Sequence, residues 1–232
     1  NDGQLGSAAG AIRKRSPAMV LLVARGSSDH AALYLKYLIE VELCLPVGLY
    51  SPSSTTIYGA HPWGPNTLVI GISQSGSSPD LVTTLSRARA AGALTLAITN
   101  AVLSELAATA EIHVDLHAGE ESSVAATKSY TAELCAACEL VHAWREHGDS
   151  AVGVPDAAAE ALESRAVIGE VADVPRAASH LLITGRGFAS PTAREGALNP
   201  TETCYWPTRA CSAAHLPHGP RRSPRPTPTA PR

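Results

Sequence analysis

The chain has 232 residues, of which 45% are hydrophobic and 17% charged, a balance that fits one large or two small soluble globular domains and excludes an intrinsically disordered chain. The formal charge of −3 gives no electrostatic case for nucleic acid or an anionic membrane, and no apolar run approaches the ~20 residues needed to span a bilayer. Aromatic residues make up only 4%, so the core must be built from Ala, Leu, Val and Ile.

In chain order, residues 1–18 form an N-terminal segment with neither a signal-peptide pattern nor an initiator Met, so a cytoplasmic location and an incomplete start are expected. Strand and helix signals alternate from there. Met19 to Ala24 (MVLLVA) is a short, wholly apolar run, the mark of a strand buried on both faces. Arg25-Gly26-Ser27-Ser28 interrupts it, and Asp29 to Cys44 reads as a helix. Pro46 to Tyr50 is a brief strand candidate and Thr67 to Ile72 a second buried strand. Pro79 to Ala91 is a helix with Pro at its first position and Gly92 just past its end. Leu94 to Thr99 is a third buried strand, and Val102 to Ala110 a short helix. Ile112, Val114 and Leu116 alternate with polar residues, as in a half-exposed strand near a sheet edge. Thr127 to Trp144 is the longest predicted helix, and Gly148 to about Glu163 leads into an Ala-rich helix. His180 to Gly185 gives another buried strand. Its surroundings, Leu181 to Ala193, echo Leu21 to Ala32: strand, Arg-Gly, small polar residues, helix.

Buried strands alternating with helices imply a three-layer α/β fold, with a central parallel sheet flanked by helices. Ligands of such sheets bind beyond the carboxyl ends of the strands. The five cysteines are odd in number and lack a disulfide framework. Cys135 and Cys138 sit inside a helical run and read as small apolar side chains rather than as a redox or zinc pair. His113 with His117, and His215 with His218, lack a third ligand, so neither a metal nor a cofactor is expected.

Ser73-Gln74-Ser75-Gly76-Ser77-Ser78 lies between a buried strand and a helix. Its hydroxyls, one amide and exposed backbone N–H groups are donors for a phosphate dianion, and Gly76 lets the backbone turn and approach it. The first turn of the next helix adds free N–H groups and a positive dipole end. A plain serine-rich turn with Ser78 as helix cap fits the same residues, and Asp80 would repel a phosphate.

Three segments in order, RGSSDHA at Arg25–Ala31, ISQSGSSPD at Ile72–Asp80 and AGEESSVAATKSY at Ala118–Tyr130, together resemble the sugar isomerase (SIS) domain family. The resemblance is strongest to the double-SIS glucosamine-6-phosphate deaminases and the isomerase half of glutamine–fructose-6-phosphate aminotransferase. It covers about residues 19 to 220 and implies a phosphorylated amino sugar as ligand. Ser73, Gln74, Ser75 and Ser78 would hold the phosphate, Ser28 would join the same site, and Val124, Ala125 and Ala126 would lie against the sugar. The plain alternative for this stretch is a helix start with Thr127 as N-cap and Lys128 solvated, and for Lys128 a ligand role stays equally open. Glu195 to Leu198, Glu202, Ser212 to Ala214 and His218-Gly219-Pro220 match the family's catalytic stretch. There Glu202 would shuttle a proton between C1 and C2, and His218 would open the ring. In the family this histidine comes from a neighbouring subunit, which implies at least a homodimer. The implied domains are 1–18 as an N-terminal segment, 19–147 as a first SIS domain, 148–166 as linker and helix, 167–220 as a partial second SIS domain, and 221–232 as a disordered Pro/Arg tail.

The sequence departs from the family where the second unit should do chemistry. Asn199 stands where the family has a lysine, and Pro200, inside a helix, is expected to displace Glu202. Arg209 and His215 replace carboxylates, and the family's further strands are expected after Pro220 but are not found there, as in a truncated or frame-damaged second unit. Two functions follow: a deaminase or isomerase of phosphosugars, or a module that binds carbohydrate phosphates without turnover. A transcription regulator would need a helix-turn-helix, and the glutamine-using synthase an amidotransferase domain with a leading Cys, ahead of the first strand; neither is expected from residues 1–18.

Overall fold

Three mostly apolar runs become the middle of a parallel sheet in the computed structural model, which describes residues 2–145, 153–164, 169 and 178–215. The chain divides into two units, Asn1–Ala177 and Ala178–Arg232.

In the first unit the strands are β1 (Met19–Val23), β2 (Val47–Leu49), β3 (Thr67–Ser73), β4 (Leu94–Thr99) and β5 (Ile112–Asp115). They pair in parallel in the order β2-β1-β3-β4-β5. The central strands are mostly apolar, with Thr67, Thr95 and Thr99 the buried exceptions, because both of their faces are covered. Along β1, Val20 and Leu22 face one core while Leu21 and Val23 face the other. The first core is closed by α1 (Asp2–Arg15), α2 (Ser27–Glu42) and α6 (Lys128–Arg145), which bring Ile12, Leu35, Ile39 and Leu140 against the sheet. The opposite face is covered by α4 (Pro79–Ala90) and α5 (Glu105–Thr109), with Leu81, Leu85 and Leu106, and by Trp63. A short α3 (Pro52–Thr56) precedes Trp63, and α7 (Val154–Glu163) is exposed along its length. The sheet thus forms the middle of three layers, as expected.

Several expectations shift. No element was expected before residue 19, yet α1 buries Leu5, Ala8, Ala9 and Ile12. α2 begins two residues earlier than Asp29, with Gly26 at its N-cap in a positive-φ turn. The helix expected from Val102 begins only at Glu105. Ser104 caps it by accepting the Ala107 N–H at 3.3 Å, which leaves Val102 and Leu103 exposed in the preceding turn.

The second unit is one parallel βαβ motif: β6 (Leu181–Gly185), α8 (Ala189–Cys204) and β7 (Thr208–Ser212). The echo between Leu21–Ala32 and Leu181–Ala193 is structural, since Gly26 and Gly187 both turn the chain at a φ of 59° between strand and helix. β6 is not buried on both faces, however. Leu182 and Thr184 are exposed, because the sheet described in this unit has two strands and α8 covers one face. α8 also runs through Pro200 without breaking. The Thr201 and Thr203 hydroxyls, just after Pro200, donate to the carbonyls of Ala197 and Asn199 just before it, and Tyr205 closes the helix in the left-handed conformation. Glu202 therefore stays on the helix.

Candidate functional site

The strand order reverses between β1 and β3, so the loops leaving their carboxyl ends diverge to opposite faces and open a crevice between them, the position where sheets of this order bind ligands. The loop after β1 carries Arg25 to Ser28, and the loop after β3 carries Ser73 to Ser78.

In the second loop the Ser73 hydroxyl accepts the Gly76 N–H at 3.1 Å, and the Ser75 and Ser77 hydroxyls lie 2.9 Å apart. Gly76 has a φ of 61°, and a Cβ there would collide with the Ser104 side chain. Only glycine fits that turn. The Gly76 carbonyl accepts the Leu106 N–H at 3.0 Å, and the Gln74 carbonyl accepts the Asn100 N–H at 3.1 Å. The backbone is therefore held from the side of β4 and α5, while the hydroxyls stay at the surface. Ser78 is the N-cap of α4, but its side chain makes no capping bond. Its hydroxyl remains available, unlike in a plain serine cap. Asp80 in the first turn of α4 accepts from Arg25 Nη1 at 2.8 Å, so a cation stands across the crevice from the carboxylate that would repel an anion.

Two further residues tie the sugar-side segment to this frame. Asn100, at the end of β4, accepts the Ala118 N–H at 2.9 Å and donates to the Gly119 carbonyl at 2.6 Å. Glu121 reaches the start of α6, where its carboxylate accepts the N–H groups of Thr127 and Ser129 and the Ser129 hydroxyl, at 3.2, 3.0 and 2.8 Å. The Ser129 N–H leads the bonds that hold the Glu121 carboxyl below its ordinary range. Glu121, not Thr127, is thus the acceptor at this helix start. Val124 is 87% exposed, Ala125 is buried and Ala126 is half-buried. Lys128 is exposed. Ser28 is buried, and its hydroxyl donates to Glu133 on α6 at 2.7 Å. His113 and His117 have protein partners: His113 Nε2 lies 2.9 Å from the Thr99 hydroxyl, and His117 pairs with Asp115 at 2.8 Å.

The fold thus gathers Ser28 and the Ser73–Ser78 loop at one crevice, and steadies the Val124–Ala126 segment through Asn100 and Glu121. Glu202 lies in the second unit, exposed in the last turn of α8. His218 and the 221–232 tail lie outside the described residues. The sequence reading missed Asn100, Glu121 and Glu133. Asn100 carried a weak signal, an Asn directly after a buried strand. Glu121 carried none, because it stands farther from its helix than the three-residue spacing of a capping box. Glu133 reads as a surface residue until α6 is docked on α2.

Comparison with known proteins agrees with this geometry. A family model described as the SIS domain matches residues 15–143. A glutamine–fructose-6-phosphate aminotransferase from Thermus thermophilus is 34% identical over 223 residues, 90% of this chain and 37% of that protein. One from Methanothermobacter thermautotrophicus is 39% identical over 203 residues, 87% of this chain and 34% of that protein. The chain therefore spans little more than a third of these curated relatives. A crystal structure from Silicibacter pomeroyi, assigned as a phosphosugar isomerase, superposes with a TM-score of 0.82 at 36% identity, covering 94% of this chain and 67% of the other. The glucosamine-6-phosphate deaminase of Thermotoga maritima, at 17% identity and a TM-score of 0.71, shares the fold, covering 94% of this chain and 69% of that one. No helix among the described residues is long and apolar enough to cross a membrane. From the ordered loops on a 2-1-3-4-5 sheet and a family model that spans more than half its length, the chain belongs to the SIS domain family.

Proposed function

We propose that the chain binds a phosphorylated amino sugar in the crevice between β1 and β3, and that its chemistry is of the glucosamine-6-phosphate deaminase and isomerase type. In that reaction glucosamine 6-phosphate and water give fructose 6-phosphate and ammonia. The observation that carries the binding half is the Ser73–Ser78 loop: its backbone is fixed by Gly76, Asn100 and Leu106, while Ser75, Ser77 and Ser78 keep hydroxyls at the mouth of α4. Helix N–H groups and hydroxyls together bind phosphate without a lysine. In this reading Ser73, Gln74, Ser75 and Ser78 take the phosphate, Ser28 contributes to the same site, and Val124 and Ala126 lie against the sugar. Glu202 moves the proton between C1 and C2, and His218 opens the ring. A carboxylate acts as a base near neutral pH when it is partly dry, and Glu202 is exposed in the single chain. With His218 supplied by a neighbouring subunit, the active form is at least a dimer, with 19–147 as the first SIS domain and 167–220 as a partial second one.

The exposure of Glu202, with Asn199 in place of a cation, favours a second reading, a module that binds carbohydrate phosphates without turnover. Ammonia release from glucosamine 6-phosphate separates the two. The enzyme reading expects release that Glu202→Gln abolishes. The binding reading expects no ammonia but a stabilised fold, by about 2.7 kcal/mol at a ligand concentration 100 times its dissociation constant. A chain that neither releases ammonia nor is stabilised by the sugar phosphate sinks both.

A further inference from the structure

One concavity of the second unit is lined by positive side chains and by no carboxylate. Arg209 on β7 and Arg194 on α8 line a single cavity of about 220 Å³, together with Ser190, Cys211, Ser212 and His215. Among the described residues neither guanidinium, nor the His215 ring, takes part in a hydrogen bond or ion pair. The two carboxylates described in this unit stand apart from the lining: Glu195 is buried in α8, and Glu202 is exposed in its last turn. Two like charges held on one concavity repel each other, and an anion between them turns that repulsion into attraction.

We infer that this cavity binds a phosphate group. Each guanidinium presents a planar fork that meets two phosphate oxygens at once. Ser190 and Ser212 add hydroxyl donors, and His215 adds a ring N–H. The Ser212 oxygen already accepts the Ala214 N–H at 3.4 Å, which leaves its proton free to point into the cavity. The volume lies below the roughly 300–1,000 Å³ of ordinary small-molecule pockets, so it holds one anionic group, with any organic remainder projecting into solvent. The chemistry differs from that of the first-unit loop, which presents neutral donors. A site built on two cations loses affinity as salt is raised. The inference is independent of the proposed function.

Calorimetric titration of inorganic phosphate into the full chain at low ionic strength tests it, in a Ser73→Ala/Ser75→Ala background that disables the first-unit loop. Phosphate is expected to bind that background, and Arg194→Ala and Arg209→Ala are each expected to weaken binding at least tenfold. Arg209→Lys, which keeps the charge but not the fork, gives a smaller loss. In the otherwise unaltered chain, replacing both arginines by Ala removes one phosphate per chain whether or not the loop binds another, so failure here and failure of the loop reading are separately visible. Glucose 6-phosphate binding more tightly than phosphate identifies a phosphate ester as the ligand, and the reverse identifies the free anion; either supports the site. Succinate binding as tightly as phosphate overturns the phosphate assignment. Phosphate binding that neither arginine substitution changes overturns the site itself.

Discussion

The Glu121 carboxylate receives two backbone N–H groups that the first turn of α6 cannot satisfy internally, along with the Ser129 hydroxyl. It performs the work of a cap from outside the helix, and in doing so fixes the segment that carries Val124 to Ala126. Glu121→Ala is expected to cost about 1 kcal/mol at neutral pH, the usual loss on removing a side-chain cap, measured by urea unfolding. The sign of the pH dependence follows from the carboxyl's lowered pKa. With the folded-state value below the unfolded one, the contribution is complete above the ordinary glutamate range and is lost as pH falls through the folded value. The difference in stability between the parent and Glu121→Ala should therefore shrink as the solution is acidified below that range. A difference that grows instead would rule out this role.

At the scale of elements, three strand ends beside the crevice are tied together. Asn100 joins the loop after β3 to the segment after β5, through its own N–H to Gln74 and its side chain to Ala118 and Gly119. Asn100→Ala keeps the first bond and removes the other two. It is expected to weaken sugar-phosphate binding about tenfold, the size of one lost positioning contact of about 1.4 kcal/mol, without unfolding the unit. Titration calorimetry beside a circular dichroism melt reads both quantities. α1 offers a test of a different kind. Its apolar residues Leu5, Ala8, Ala9 and Ile12 recur at helical spacing, yet Gly3, Gly6 and Gly10 between them are poor helix formers and obscure the pattern. Gly6 is exposed, and an added Cβ would meet nothing within 4 Å. Gly6→Ala is thus expected to stabilise the first unit by about 0.5–1 kcal/mol, seen as a raised melting temperature. β3 and β4 were legible for the opposite reason: a short run dominated by Leu, Val and Ile and ended by Ser or Asn leaves few alternatives to a strand buried on both faces.

At the scale of the whole molecule, the two units differ in how much they bury. β3 and β4 are enclosed on both faces by helices from two cores, while β6 alternates between half-buried and exposed positions. Hydrogen exchange should show it. Amides of β3 and β4 are expected to exchange last, by global unfolding, and those of β6 and β7 orders of magnitude sooner. Equal protection in both sheets would contradict the difference in burial. The sequence by itself determined the alternation of strands and helices, the parallel sheet and the place of the serine-rich loop after β3, because periodicity, apolar runs and the Ser-Gln-Ser-Gly-Ser-Ser pattern act over a few residues. It also exposed the break in pattern around Asn199 and Arg209. Only the tertiary structure decided that Asn100 and Glu121 brace the site, that Ser28 turns to Glu133, that α8 passes through Pro200, and that Arg194 meets Arg209 at one cavity. Those outcomes depend on which residues distant in sequence are brought within hydrogen-bonding or Coulombic reach, and no local pattern encodes that distance.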